Sequence, residues 1–163
     1  MAMTQLVPIV RAEGEGEKLW FYGGGVHKWL ATSAETGGAF LLFDDVMTRG
    51  KTTPLHSHPE VDETLYMLEG EILLSVDGLE QTLGRSGVAM VPRGVPHAFL
   101  VTSERARILF LETPGSSENF YRGASEPLTA ALEESAPVDF DRVRASAARN
   151  GGIEILGPPP FAR

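Results

Sequence analysis

Four side chains in the middle of the chain have the types and the spacing needed to hold a transition metal. His56 and His58 stand two residues apart, Glu63 follows five residues after His58, and His97 comes later. On a strand, residues i and i+2 project from one face with Cα atoms about 6.5–7 Å apart, so two imidazoles can converge on one ion at about 2.0–2.1 Å. Glu63 opens the next apolar run after a turn, where a carboxylate can close another side of the ion. Glu60 and Asp62 lie in the same loop and are alternative carboxylates. His97 follows Pro92-Arg93-Gly94-Val95-Pro96, a turn sequence that sets the angle at which it joins its strand. Cysteine is absent, which removes thiolate ligands, disulfides and thiol nucleophiles together. Three imidazoles and one carboxylate suit Fe, Mn, Ni, Co, Cu or Zn, and suit Ca or Mg poorly.

The elements that must position these groups read as short strands separated by turns. Lys18–Tyr22, Ala39–Met47, Thr52–His58 and Glu63–Glu69 are apolar or alternating runs, most of them bounded by glycine. Glu71–Val76 and Leu79–Leu83 flank Asp77-Gly78, the dipeptide that a type I′ hairpin favours because both positions need positive φ. Gly87–Val91, His97–Val101 and Ala106–Glu112 complete the set. Strands this short and this closely spaced predict an all-β sandwich or closed barrel. After Pro114 the character changes. Leu128–Glu134 predicts a helical turn or two, and Phe140–Asn150 predicts a helix with Asp139 as N-cap and Gly151 as C′ residue. The closing IEILGPPPF stretch is expected to pack along the barrel. His27, outside the cluster, reads as a surface or locally hydrogen-bonded histidine, and Gly23–Gly25 as a turn or bulge.

Composition narrows the function classes. The 163 residues fit one domain over 1–163, with a barrel core at about 38–112 and a C-terminal extension over 113–163. A formal net charge of -8 repels phosphate backbones and anionic headgroups, so no nucleic acid and no membrane is expected as a partner. The N-terminal stretch offers no apolar core of signal-peptide length, and no run is long enough to span a bilayer, which makes a cytoplasmic location the default expectation.

The series Gly50-x5-His56-x-His58-x4-Glu63-x6-Gly70 resembles the first motif of the cupin superfamily at every defined position. Pro92-x-Gly94-x2-His97 resembles the second motif, with two departures: Ser86 stands where the family usually has glycine, and Val101 where it usually has asparagine. The resemblance implies a cupin jelly-roll barrel with a short C-terminal helical extension, one divalent ion on His56, His58, Glu63 and His97, and a homodimer. Among the three carboxylates only Glu63 has both the spacing from His58 and the gap before Gly70. Within the superfamily the chain is similar to small proteins of the quercetin dioxygenase type.

Parity then proposes a pocket. Leu65 and Met67 share the face of Glu63, and Phe99 and Val101 that of His97; Phe40 and Leu42 join them on a strand whose parity no ligand anchors. Such walls favour a flat, mostly apolar small molecule with an oxygen donor at one end. The expected activity is an oxygenase, using O2 on an enol, phenol or dicarbonyl compound, with Glu63 as the catalytic proton acceptor. Two alternatives stand beside it: a redox-neutral metal-dependent isomerase, lyase or cyclase, and a non-catalytic small-molecule-binding cupin.

Overall fold

Alternation along the chain decides which residues face inward, and the computed structural model, which describes residues 6–129 and 137–161, places them in two antiparallel sheets. β1 (Lys18–Phe21) and β2 (Val26–Ala31) are joined through the Gly23–Gly25 turn. β2 is an addition to the expected strands; its alternation buries His27, Trp29 and Ala31. β3 (Leu41–Thr48) turns Leu41, Phe43, Asp45 and Met47 inward. β4 (Leu55–Ser57) is shorter than the expected Thr52–His58 run, because Pro54 and Pro59 bracket it and neither has an N–H to give to a ladder.

β5 (Asp62–Glu69), β6 (Glu71–Val76), β7 (Leu79–Gly84), β8 (Val88–Val91), β9 (His97–Val101) and β10 (Arg105–Thr113) lie close to their predicted bounds. Asp77 and Gly78 both have positive φ, 51° and 79°, as the β6–β7 hairpin requires. Gly70, between β5 and β6, has no room for a side chain. A Cβ there would lie 2.1 Å from the Arg105 carbonyl oxygen, and φ is +78°.

Beyond the barrel come α1 (Glu118–Gly123), β11 (Ser125–Pro127), α2 (Phe140–Asn150) and β12 (Glu154–Gly157). α2 has the predicted bounds. Asp139 caps it by accepting from the Arg142 backbone N–H at 3.2 Å, and Gly151 ends it at φ 65°. The expected helix over 128–134 is not formed at Leu128 and Thr129, and its remainder lies outside the described residues. β12 pairs with β4, so the closing stretch does run along the barrel.

One sheet has the order β11-β1-β2-β3-β10-β5-β8 and the other β12-β4-β9-β6-β7, a jelly-roll barrel with a short helical extension. β10 pairs with β3 on one side and β5 on the other, and buries Ala106, Ile108, Phe110 and Glu112 in alternation. Leu65, Met67, Ile72, Val101 and Ile108 fill the interior with Leu41, Phe43 and Trp29. Phe120, Tyr121, Val143 and Ile153 carry that core into the C-terminal cover. Among the described residues no helix is long and apolar enough to cross a membrane.

Ser86, the residue at the departed glycine position, sits in the left-handed region at φ 66°, where a side chain strains the backbone. Ser86→Gly is expected to raise the free energy of unfolding by roughly 0.5–1 kcal/mol, the relief exceeding the added chain entropy. Denaturant titration checks this; an unchanged or lower midpoint contradicts it.

Candidate metal centre

The two sheets deliver the cluster from opposite sides of the interior. His56 on β4 and His97 on β9 are direct register partners in one sheet. Glu63 on β5 belongs to the other, opposite Glu112 of β10. His58 lies just past the end of β4, where its carbonyl accepts from the Gly94 N–H at 2.8 Å and so ties the first motif to the second. All four side chains are buried. The His56, His58 and His97 ligand nitrogens lie within 4.8 Å of one another.

Hydrogen bonding determines which nitrogen each imidazole presents. His56 Nδ1 lies 2.8 Å from the Pro54 carbonyl oxygen, and His97 Nδ1 lies 2.9 Å from that of Val95. A carbonyl only accepts, so each Nδ1 carries a proton; the His56 Nε2 then turns a lone pair to the centre, while the His97 Nε2 faces Glu63. His58 is 2% exposed; the Gly152 backbone acts on its ring, and its Nε2 makes no close hydrogen bond, lying 3.5 Å from Glu63 Oε1. A buried Nε2 so placed, beside two other imidazoles and a carboxylate, is what an ion would satisfy. The donor set fits a divalent transition metal.

Glu63 is held in place by the same groups. Its Oε2 lies 3.0 Å from His97 Nε2 and its Oε1 3.5 Å from His58 Nε2. Burial opposes its ionisation, but the fields of His58, His97 and His56 and the bond to His97 outweigh that and hold the carboxyl at about 2. His56 is pushed the other way, to about 3, by burial and by His97 and His58, so it stays neutral and ready to coordinate. Burial also lowers His58, against the pull of Glu63. His97 is raised: burial lowers it, but Glu63 outweighs burial, because its Nε2 and Nδ1 both face acceptors.

The rival carboxylates are engaged elsewhere. Asp62 points outward and accepts from Arg93 at the backbone N–H, Nε and Nη2, at 2.8, 3.1 and 2.9 Å. Glu60 is exposed. Glu112, which sequence reasoning missed, lies with Glu63 and His58 in a second cluster whose ligand atoms are within 4.8 Å of one another. Burial and the charge of Glu63 push its carboxyl well above the ordinary range, although the Tyr121 hydroxyl donates to it at 2.5 Å. Its parity with Ile108 and Phe110 on β10 was the available signal.

A cavity opens beside His56 and Glu63, walled by Phe21, Phe43, Phe99, Phe110, Phe120 and Tyr121 and closed by Phe140, Val143 and Ile153. Of the six pocket residues expected, Phe99 lines it. Phe40 and Leu42 do not, because β3 turns Leu41 and Phe43 inward instead, the parity opposite to that expected. Leu65, Met67 and Val101 point inward but pack within the core and do not border the cavity. His27 is 1% exposed, not superficial, and lines the cavity with Asp45.

The cupin domain model matches residues 45–112. The chain is 29% identical over 139 residues, 84% of its length, to quercetin 2,3-dioxygenase of Bacillus subtilis (strain 168), and spans 41% of that relative. A protein from Thermotoga maritima described as a predicted oxalate decarboxylase superposes with a TM-score of 0.57 at 20% identity, over 66% of this chain and 99% of its own. An RmlC-like cupin from Shewanella frigidimarina gives 0.55 at 20% identity, over 63% and 88%. At these identities the two structures show the fold alone.

The purified protein is expected to carry about one transition-metal ion per chain by elemental analysis, and His58→Ala to weaken retention at least about a hundredfold. Retention by the variant equal to that of the parent contradicts the assignment. A proton and an ion compete for His97 Nε2, whose pKa is raised, so affinity is lost as pH falls through that value. The expected slope is about tenfold per pH unit for one displaced proton. Competition titration with a chelator across pH reads it, and a flat profile is the contrary result.

Proposed function

We propose that this chain, whose residues 45–112 match the cupin domain, is a metal-dependent oxygenase acting on an enol, a phenol or a 1,3-dicarbonyl small molecule. The observation that carries the reading is the convergence of three buried imidazoles and a carboxylate, of which His56 and Glu63 border an aromatic-walled cavity. When bound, the ion supplies Lewis-acid and redox chemistry at coordination positions the four side chains leave open. The likeness to quercetin 2,3-dioxygenase supports the oxygen-using form of that chemistry.

The chain's own residues supply the rest. Phe43 and Phe110 are stacked at 5.1 Å and 12°, a flat wall against which a planar substrate packs. Burial of the site excludes bulk water and strengthens each electrostatic contact inside. Glu63 accepts the substrate hydroxyl proton at a carboxylate oxygen. Glu112 and Tyr121 keep their own protons beside it, so the negative charge at this end of the cavity stays on one carboxylate. The partners expected of such a site are the small substrate and O2, in a homodimeric protein.

Oxygen consumption by the metal-loaded protein with a panel of phenols and 1,3-diketones tests the proposal. Turnover that requires O2 is expected, and Glu63→Gln should lower kcat by roughly 10²–10⁴ while the thermal unfolding transition remains cooperative. Product formed equally well under anaerobic conditions would assign the site to redox-neutral isomerase, lyase or cyclase chemistry. Binding without product would make it a carrier.

A further inference from the structure

The cavity has a second polar pole. His27 on β2 and Asp45 on β3 are register partners, both buried, and both border the cavity that also meets His56 and Glu63. His27 Nε2 lies 3.3 Å from Asp45 Oδ2. The ring is held by stacking on Phe21 at 4.6 Å and by Phe43 at 4.8 Å. Yet His27 Nδ1 and Asp45 Oδ1 have no hydrogen-bond partner. Space beside Oδ1 is kept by Gly25, where a Cβ would come within 2.3 Å of it.

Unsatisfied polar atoms inside a protein are costly, and an open atom on each of two adjacent side chains of one cavity calls for a donor. In the neutral ring a proton on Nε2, facing the carboxylate, leaves Nδ1 with a lone pair, and Oδ1 of a carboxylate only accepts. Both open positions are therefore acceptors. A carbonyl, ether or carboxylate placed there would meet lone pair against lone pair, whereas a hydroxyl donates its one proton to one of them.

We infer that the His27–Asp45 pair is a substrate-recognition pole that selects molecules carrying a hydroxyl at the end remote from the oxygen held by the metal centre. The inference rests on the proposed function, from which it takes the orientation of the substrate. Neither residue touches the reacting atoms; their role is specificity and orientation.

Calorimetric titration of the metal-loaded protein with three probes tests it: 1-phenylbutane-1,3-dione, its 4-hydroxyphenyl analogue and its 4-methoxyphenyl analogue. All three offer the same diketone to the metal. The hydroxyl probe is expected to bind roughly ten- to hundredfold more tightly than the parent, the range for a hydrogen bond to a charged acceptor. The methoxy probe, which keeps the oxygen and lacks the donor, should gain nothing. In His27→Phe, which preserves the ring stack, the ratio of hydroxyl to parent affinity should fall to about one. Asp45→Asn provides the same reading should the first variant fold poorly. Equal affinities for parent and hydroxyl probes, an equal gain with methoxy, or an unchanged ratio in a folded variant overturns this inference alone. Failure of all three probes to bind overturns it together with the functional reading beneath it.

Discussion

A carboxylate in the interior of a β-barrel is the constraint around which this molecule is arranged. Moving one charge out of water costs several kcal/mol even after relaxation, and Glu63 is almost fully buried. The charge is tolerable only because three imidazoles surround it and lower its pKa despite burial. Those imidazoles are themselves buried, and two of them have Nδ1 fixed by a backbone carbonyl, so that Nε2 is the nitrogen turned to the cluster. None of the four groups is satisfied alone. As a set they have the donors to hold an ion, and the barrel is the means of bringing them together.

That requirement explains the division of labour between the sheets. The sheet holding β4 and β9 supplies two histidines across a single register pair, while the sheet holding β5 and β10 supplies the carboxylate. Closure of the jelly roll makes them neighbours. The outward Asp62–Arg93 fork fastens the start of β5 to the turn before β9, so the strand that carries Glu63 and the turn that aims His97 are held together. The C-terminal segment then covers the open end of the barrel. Phe120 and Tyr121 extend the aromatic lining, and with Val143 they pack against the same core, which makes the cover part of the cavity wall.

Polar residues inside this barrel are not scattered. Glu112 with Tyr121 lies beside the metal centre, and His27 with Asp45 borders the same cavity. Glu112, His27 and Asp45 each occupy an inward position on a strand whose alternating inward residues are otherwise apolar, a local contradiction of the pattern that gives the strand its place. Contradictions of this kind mark sites where function outweighs packing. Together they give the cavity a charged end, an apolar middle and a hydrogen-bond-accepting end.

The sequence alone was enough to identify the barrel and the candidate His/Glu cluster, for a physical reason. Strand periodicity is local, the hairpin turn at Asp77-Gly78 is a two-residue property, and the ligand motif spans a stretch in which spacing and face are linked. The helix at Phe140–Asn150 was legible through its caps. What required the tertiary structure was everything set by the pairing of distant strands. The facing of β3, and with it the replacement of Phe40 and Leu42 by Phe43 in the cavity wall, follows from its register with β2 and β10. His27 sits beside Lys28 in a strand of mixed character, so its burial, its partner Asp45 and its aromatic neighbours could be found only in space. Composition and spacing determine which side chains are able to bind an ion; only the closed barrel decides which others share the cavity with it, because a one-residue change of register would turn each of them to the opposite face.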